Sequence, residues 1–423
     1  MSKLALFMHA PPEHIAHVIN AMCLFSGLKN QGVDCTWITM NPRNPISPLN
    51  PSTELDKLGL TEFVDICNVS VRNCIGHVDD ESSPKEEAIE WLFSGFDAST
   101  LFLHYYPPFW NPVVQVCKRR GIRVGFHVQS FSRRANDDPY YYHYPGTLQA
   151  IRDADFLTVS QQVDLEQVMR ISGKSISDIS VLPKSVPPLA LQRATEDTDI
   201  PPEVEGILGT LSPDLRTMLY VGRLERFKNI HWFLNSCMPR LENRLNEFQV
   251  LIVGRGSIEE EILIQARQFS NVRVMLKQLP YDLGLRLISL SDLILFPSGY
   301  DYSPRLPLEA ILLGRPVLLG RFFFNRRYFD AAKYVVNGAT FGHDVLEYSG
   351  ESIEYGILDS SEVVDALCSF LDNPRPNIDT QAMRLLAYES TPLFGAKRLL
   401  EVSGHTKSYA ESIQNKHQKK RTK

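Results

Sequence analysis

The sequence predicts an α/β protein built of two Rossmann-like domains with parallel sheets, and three observations carry that prediction. Its 423 residues exceed the roughly 250–300 at which a single core stops growing. Short apolar runs alternate with helix-forming segments in both halves of the chain, the pattern of a parallel sheet covered on both faces. Between the two alternations lies a stretch rich in proline and acidic residues, with Pro187, Pro188, Pro201, Pro202 and Pro213.

In order, residues 4–8 form a first apolar strand, 13–28 a helix and 34–39 a second strand. Residues 100–104, 113–120 and 123–128 repeat strand, helix and strand, and 153–160 and 179–183 add the last strands of this half. Alternation resumes with strand 218–222, a helix near 231–242, and strands 249–253, 272–275, 293–296 and 316–319. The expected division is a first domain 1–185, a linker 186–216, a second domain 217–392, and a terminal helix 393–415 packing back on the first domain. A basic tail, residues 416–423, follows as a disordered end.

Composition narrows the function classes. Hydrophobic residues make up 43% and charged residues 22%, ordinary values that favour an ordered chain with large cores. A net charge of −5 offers no global attraction to nucleic acid or an anionic membrane, so nucleic acid is not an expected partner. Two basic patches, residues 321–327 and 118–123, leave room for weak peripheral membrane contact, although solvated surface is the simpler reading. Seven cysteines without a CxxC pair, together with an apolar start too short for a signal peptide, point to a reducing, cytoplasmic setting. No segment approaches the ~20 apolar residues that cross a bilayer.

The polar signal concentrates in three loops that follow second-domain strands, where open parallel sheets bind ligands. VGRLERFKN, residues 221–229, places Arg223 and Lys228 in one loop, a pair able to hold a diphosphate or simply to be solvated. LIVGRGS, residues 251–257, carries Gly254 and Gly256 in a turn that suits close backbone approach to a ligand, or only a tight turn. SGYDYSPRLPLEAILLG, residues 298–314, carries Asp301 and Glu309 with seven residues between them, across a loop and the start of a helix, whose N-terminus attracts anions. Each loop alone is ordinary, and their order is what is distinctive. Upstream, His127 and His104 each end a strand, as packing residues or as site residues. The aromatic segment 137–146 is either an acceptor pocket or a packed loop.

Taken in sequence, these motifs make residues 218–320 resemble the retaining nucleotide-sugar glycosyltransferases of family 4, the glycosyl transferases of group 1. The first half resembles them more loosely, through GFHVQS at 125–130, DADFLTVSQQ at 153–162 and VLPKSVPP at 181–188. The resemblance implies a GT-B fold, two Rossmann-like domains facing across a cleft that closes to exclude water. It also implies transfer of a hexose from a nucleotide diphosphate sugar to a carbohydrate, lipid-linked or small-molecule acceptor hydroxyl, in glycan, polysaccharide or glycolipid synthesis.

By that resemblance Arg223 and Lys228 bind the donor diphosphate and stabilise the departing nucleotide, Asp301 binds hydroxyls of the transferred sugar, and Glu309 binds the ribose hydroxyls. Gly254 and Gly256 lie beside the nucleotide, Lys277 lies where the base is contacted, and His127 touches the donor sugar near its reacting carbon. No metal or other cofactor is expected, because two cations and a helix N-terminus can replace a divalent ion at the diphosphate. The chain departs from the family pattern at Asp301, where a longer glutamate is usual, and at Pro304, which has no N–H to give a phosphate. Ser303, Arg305 and Leu306 would then supply the donors, with Arg305 as an added cation. HAPPEH, residues 9–14, lacks the glycines usual after the first strand. Three other readings remain beside this one: a paired-carboxylate glycoside hydrolase, which the adjoining cations disfavour, a non-catalytic GT-B protein that binds a nucleotide sugar or a partner, and a nucleotide-sugar epimerase of similar fold.

Overall fold

The computed structural model of the protein describes residues 4–8, 15–40, 71–74, 98–104, 110–128, 145–196, 202–301, 303–338, 344–348, 351–373 and 379–405. Residues 9–14, most of the aromatic segment 137–146 and the basic tail lie outside them. The chain divides into two compact units, one running to Pro187 and resuming at Glu389, the other built on Pro188–Tyr388.

The first unit holds a seven-stranded sheet in the order β3-β2-β1-β4-β5-β6-β7. Its strands are β1 (Leu4–Met8), β2 (Cys35–Met40), β3 (Val71–Cys74), β4 (Thr100–Leu103), β5 (Arg123–Val128), β6 (Phe156–Val159) and β7 (Ile179–Val181). Every pairing is parallel. Leu101, Phe102, Val124, Phe126, Phe156 and Leu157 are buried throughout, which is why apolar side chains fill both faces of these strands. Helices Ile15–Asn30, Trp110–Arg119, Pro145–Asp153 and Leu165–Ser172 belong to this unit. So does the last described helix, Pro392–Ser403, which Thr391 caps by accepting from the Phe394 N–H. It packs so closely on Ile15–Asn30 that a Cβ at Gly27 would lie 2.1 Å from the Pro392 carbonyl oxygen. The sequence placed this helix at 393–415, and the structure describes it over 392–403.

The second unit repeats the plan with β8 (Arg216–Val221), β9 (Phe248–Val253), β10 (Val272–Met275), β11 (Leu293–Phe296), β12 (Val317–Gly320) and β13 (Tyr334–Val336), in the order β10-β9-β8-β11-β12-β13. These pairings are also parallel. β9 and β11 are buried at every residue. An antiparallel hairpin, β14 (Asp344–Tyr348) and β15 (Glu351–Tyr355), stands apart from this sheet.

The expected linker at 186–216 is corrected in part. Helices Pro188–Glu196 and Pro202–Leu208 occupy it, and each opens on one of the prolines that suggested a break. Proline suits the first turn of a helix, where its missing N–H costs nothing. The Arg286 guanidinium donates to the Ala194 carbonyl (2.8 Å), joining the first of these helices to the second unit.

Candidate functional site

Strand order in the second unit reverses between β8 and β11, so the loops leaving their carboxyl ends flank the crevice where doubly wound sheets take ligands. Both carry charge. After β8 the Tyr220 hydroxyl donates to the Arg223 carbonyl (2.6 Å) and pins the turn. A single 3₁₀ turn, Arg226–Lys228, then ends at Asn229, whose φ of 58° is left-handed. The buried Lys228 ammonium lies 4.9 Å from the Phe227 ring centroid and 5.8 Å from that of Phe296, and it donates to Asp301 Oδ2. Burial lowers its pKa, against the attraction of Asp301. Arg223 is exposed, and its guanidinium carbon lies 5.7 Å from the centroid of the same Phe227 ring.

Asn229 ties the two loops together. Fully buried, its amide donates to the carbonyls of Pro297 (3.1 Å) and Gly356 (2.8 Å), while Gly299 N donates to Phe227 O (2.8 Å). Gly299 lies so close to the next segment that a Cβ there would stand 1.7 Å from the Gly356 carbonyl oxygen.

The β11 loop turns through Ser303, φ 50°, into helix Arg305–Leu312. The Tyr328 hydroxyl donates to the Pro304 carbonyl (2.8 Å) and fixes this entry. Since Pro304 and Pro307 both lack an N–H, the first turn offers only the amides of Arg305 and Leu306. Ser303 is buried. The Arg305 side chain turns along its own helix: Nε donates to Glu309 Oε1 (2.9 Å) and a terminal nitrogen donates to the Tyr281 hydroxyl (3.1 Å). Tyr281 donates to Glu309 Oε1 (2.9 Å). Burial and the Glu309 charge push the Tyr281 pKa well up, so the phenol keeps its proton.

Gly254 and Gly256 are required by packing of one loop on another. A Cβ at Gly254 would lie 1.8 Å from the Gly222 carbonyl oxygen, and one at Gly256 would lie 2.3 Å from that of Leu224. Leu224 N donates to Arg255 O (2.9 Å), Ile258 N to Leu224 O (3.2 Å), and Ser257 to the buried Glu225. Glu259 accepts from Gly256 N and from Arg255 Nε, both at 2.7 Å, and the first of these bonds leads in lowering its pKa. Lys277, two residues beyond β10, is exposed and pairs with Glu203 of helix Pro202–Leu208.

The first unit has its own polar cluster at the carboxyl ends of β4, β5 and β6. The imidazoles of His104 and His127 stack with centroids 5.1 Å apart and planes inclined by 16°. His127 Nδ1 shares a hydrogen bond with Thr158 Oγ1 (2.7 Å), and Ser160 Oγ lies 3.4 Å from Nε2. Burial, then the Lys184 charge, pushes the His104 pKa down to about 3; burial followed by His104 and Lys184 lowers that of His127.

The structure thus brings Lys228 to Asp301, and Arg305 to Glu309, within one unit. Lys277 makes its contact with Glu203, and the Arg305 guanidinium engages Glu309 on its own helix and Tyr281 on another. Two contributors escaped the sequence reading. Asn229 had a signal, since asparagine tolerates left-handed φ at a helix start; Tyr281, directly after Pro280, had only its place at a helix start. Among the described residues no group of three or more His, Cys, Asp or Glu is placed to hold a metal ion, and no helix is long and apolar enough to cross a membrane.

Residues 216–336 match the family described as Glycosyl transferases group 1. The chain is 24% identical over 193 residues to the alpha-D-kanosaminyltransferase of Streptomyces kanamyceticus, covering 45% of this chain and 44% of that protein, so the match spans under half of the relative. Among solved structures, a glycosyltransferase from Rickettsia africae ESF-5 superposes with a TM-score of 0.64 at 12% identity, covering 98% of this chain and 99% of that one. The UDP-GlcNAc 2-epimerase from Neisseria meningitidis, bound to UDP-GlcNAc, gives 0.59 at 14%, covering 96% and 100%. At such identities these structures speak to the fold alone, and the GT-B type with its two Rossmann-like α/β domains is the one the sequence predicted.

Proposed function

We propose that the protein is a glycosyltransferase that moves a sugar from a nucleoside diphosphate sugar to an acceptor hydroxyl, without a metal ion and with retention of anomeric configuration. The observation that carries this reading is the Lys228–Asp301 pair at the switch point of a parallel sheet, one loop from a helix N-terminus within the region matching the glycosyl transferases of group 1.

In this reading the diphosphate lies against Lys228, Arg223 and the amides of Arg305 and Leu306, with the Ser303 hydroxyl as a further donor. The bond from the anomeric carbon to the β-phosphate oxygen breaks as the acceptor oxygen bonds to the same face, and the acceptor proton passes to the departing phosphate. Negative charge grows on the leaving diphosphate, and a desolvated cation there stabilises it more than one in water would. Asp301 holds sugar hydroxyls, Glu309 the ribose, and Lys277 lies toward the base. Gly254 and Gly256 let the nucleotide approach only after satisfying the loop packing described above. Within the first unit, His127 stands as a neutral imidazole able to meet a sugar hydroxyl. The acceptor is a carbohydrate, a lipid-linked saccharide or a small molecule, held mainly by the first unit.

Thermal-shift screening against UDP-, GDP- and ADP-sugars, followed by assay of released nucleotide with and without acceptors, tests this. Acceptor-dependent release of nucleotide supports it. Binding without release favours a non-catalytic protein, and a changed sugar still attached to its nucleotide favours an epimerase. Turnover at the wild-type rate in Glu309→Ala would remove the site assignment.

A further inference from the structure

We infer that Tyr281 and Arg305 are positioning residues for Glu309, fixing which of its two oxygens meets the ribose and so setting the site's preference for an intact ribose. This rests on the nucleotide-sugar reading above and deepens it.

The three side chains close a ring of hydrogen bonds. Arg305 donates to Glu309 Oε1 (2.9 Å) and to the Tyr281 hydroxyl (3.1 Å), and Tyr281 donates to the same Oε1 (2.9 Å). The Arg305 guanidinium carbon also stands 5.5 Å from the Tyr281 ring centroid. Both ends of the ion pair are 8% exposed at the side chain, and Tyr281 is equally buried. A buried ion pair rarely stabilises a fold better than apolar residues of the same size would, so its presence here points to a demand for orientation.

The geometry says what is oriented. Oε1 already accepts from two donors, and no described residue engages Oε2. Tyr281 opens the helix that follows β10, whereas Glu309 lies on the helix that follows β11, so the ring locks the carboxylate against a second element. Rotation of the carboxylate would break two bonds at once. A ligand hydroxyl therefore meets Oε2 in one fixed direction, without the carboxylate having to be ordered on binding.

The experiment compares dissociation constants for the nucleoside diphosphate that binds best among UDP, GDP and ADP and for its 2′,3′-dideoxy analogue. A hydrogen bond to a charged group is worth about 1.5–3 kcal/mol, so the wild type should prefer the ribose form by at least about tenfold. Tyr281→Phe and Arg305→Leu should each lower that preference at least about threefold, while the affinity of Tyr281→Phe for the dideoxy form moves less than about twofold. Glu309→Ala should abolish the preference. Tyr281→Phe removes only one oxygen, so it keeps the test valid if Arg305→Leu fails to fold. An unchanged preference in folded Tyr281→Phe, or equal loss of both affinities, overturns the assignment, as does a wild type without preference. No affinity for any of the three diphosphates overturns the nucleotide-sugar reading itself, a failure seen in the wild type alone.

Discussion

Lys228 and Asp301 reach each other from the two loops that leave β8 and β11, and they form an ion pair whose lysine is buried against Phe227 and Phe296. The cation nearest the switch point is therefore held in place before any ligand arrives. Replacing Lys228 with alanine should lower transfer about 10²–10³-fold, the usual cost of losing one preorganised donor. Arginine should not rescue it, because a planar fork cannot occupy the socket of a compact ammonium. Assay of released nucleotide, with circular dichroism to confirm the fold, checks both.

The stacked histidines give the first unit a dependence on pH. His104 titrates near 3 in the fold against about 6.5 in the unfolded chain, and His127 is shifted the same way. Above about 6.5 neither state binds the proton, and this stability is fully present. As pH falls from there toward 3 the unfolded chain takes protons that the fold refuses, so stability drops by about 1.4 kcal/mol per pH unit for His104 alone. Urea unfolding between pH 7 and pH 4 should show this decline, and His104→Phe should flatten it.

Gly299→Ala should destabilise the second unit by about 1–3 kcal/mol, because the added methyl would overlap the Gly356 carbonyl. Gly284→Ala is the control: it lies inside helix Tyr281–Leu290, with nothing within 4 Å of the new methyl, and should add about 0.8–1 kcal/mol. Thermal or urea denaturation separates the two by sign.

Asn229→Gly should keep the left-handed turn and lose both side-chain bonds, leaving the carbonyls of Pro297 and Gly356 short of a donor at a cost of about 2–3 kcal/mol. Asn229→Ala should cost more, since it adds backbone strain at φ 58°. Comparing the two by urea unfolding isolates the bonds from the strain.

Much of the fold was legible because parallel strands buried on both faces must be apolar along their whole length. Strand 293–296 could be read to the residue for that reason. The hairpin Asp344–Tyr355 carries no such run and was passed over. Pro188 and Pro202 misled, because proline opens a helix as readily as it breaks one. At the candidate site, the ordered loops singled out Lys228, Asp301 and Glu309 in the sequence, whereas the directions of their partners depended on packing. Arg305, read from the sequence as an added cation for a phosphate, has its side chain paired with Glu309 four residues along its own helix, a spacing at which opposite charges meet. The stacking of His104 on His127 depends on the register of β4 and β5, which no local pattern encodes.

Helix Pro392–Ser403 belongs to the unit that begins the chain, and this has a consequence for synthesis on the ribosome. The middle of the chain, Pro188 to Tyr388, emerges whole and can fold while its neighbour still lacks its closing helix. The usual order, in which the amino-terminal part matures first, is thereby inverted. Emergence of the helix at 392–403, and not of residue 187, sets the moment at which the first unit can settle.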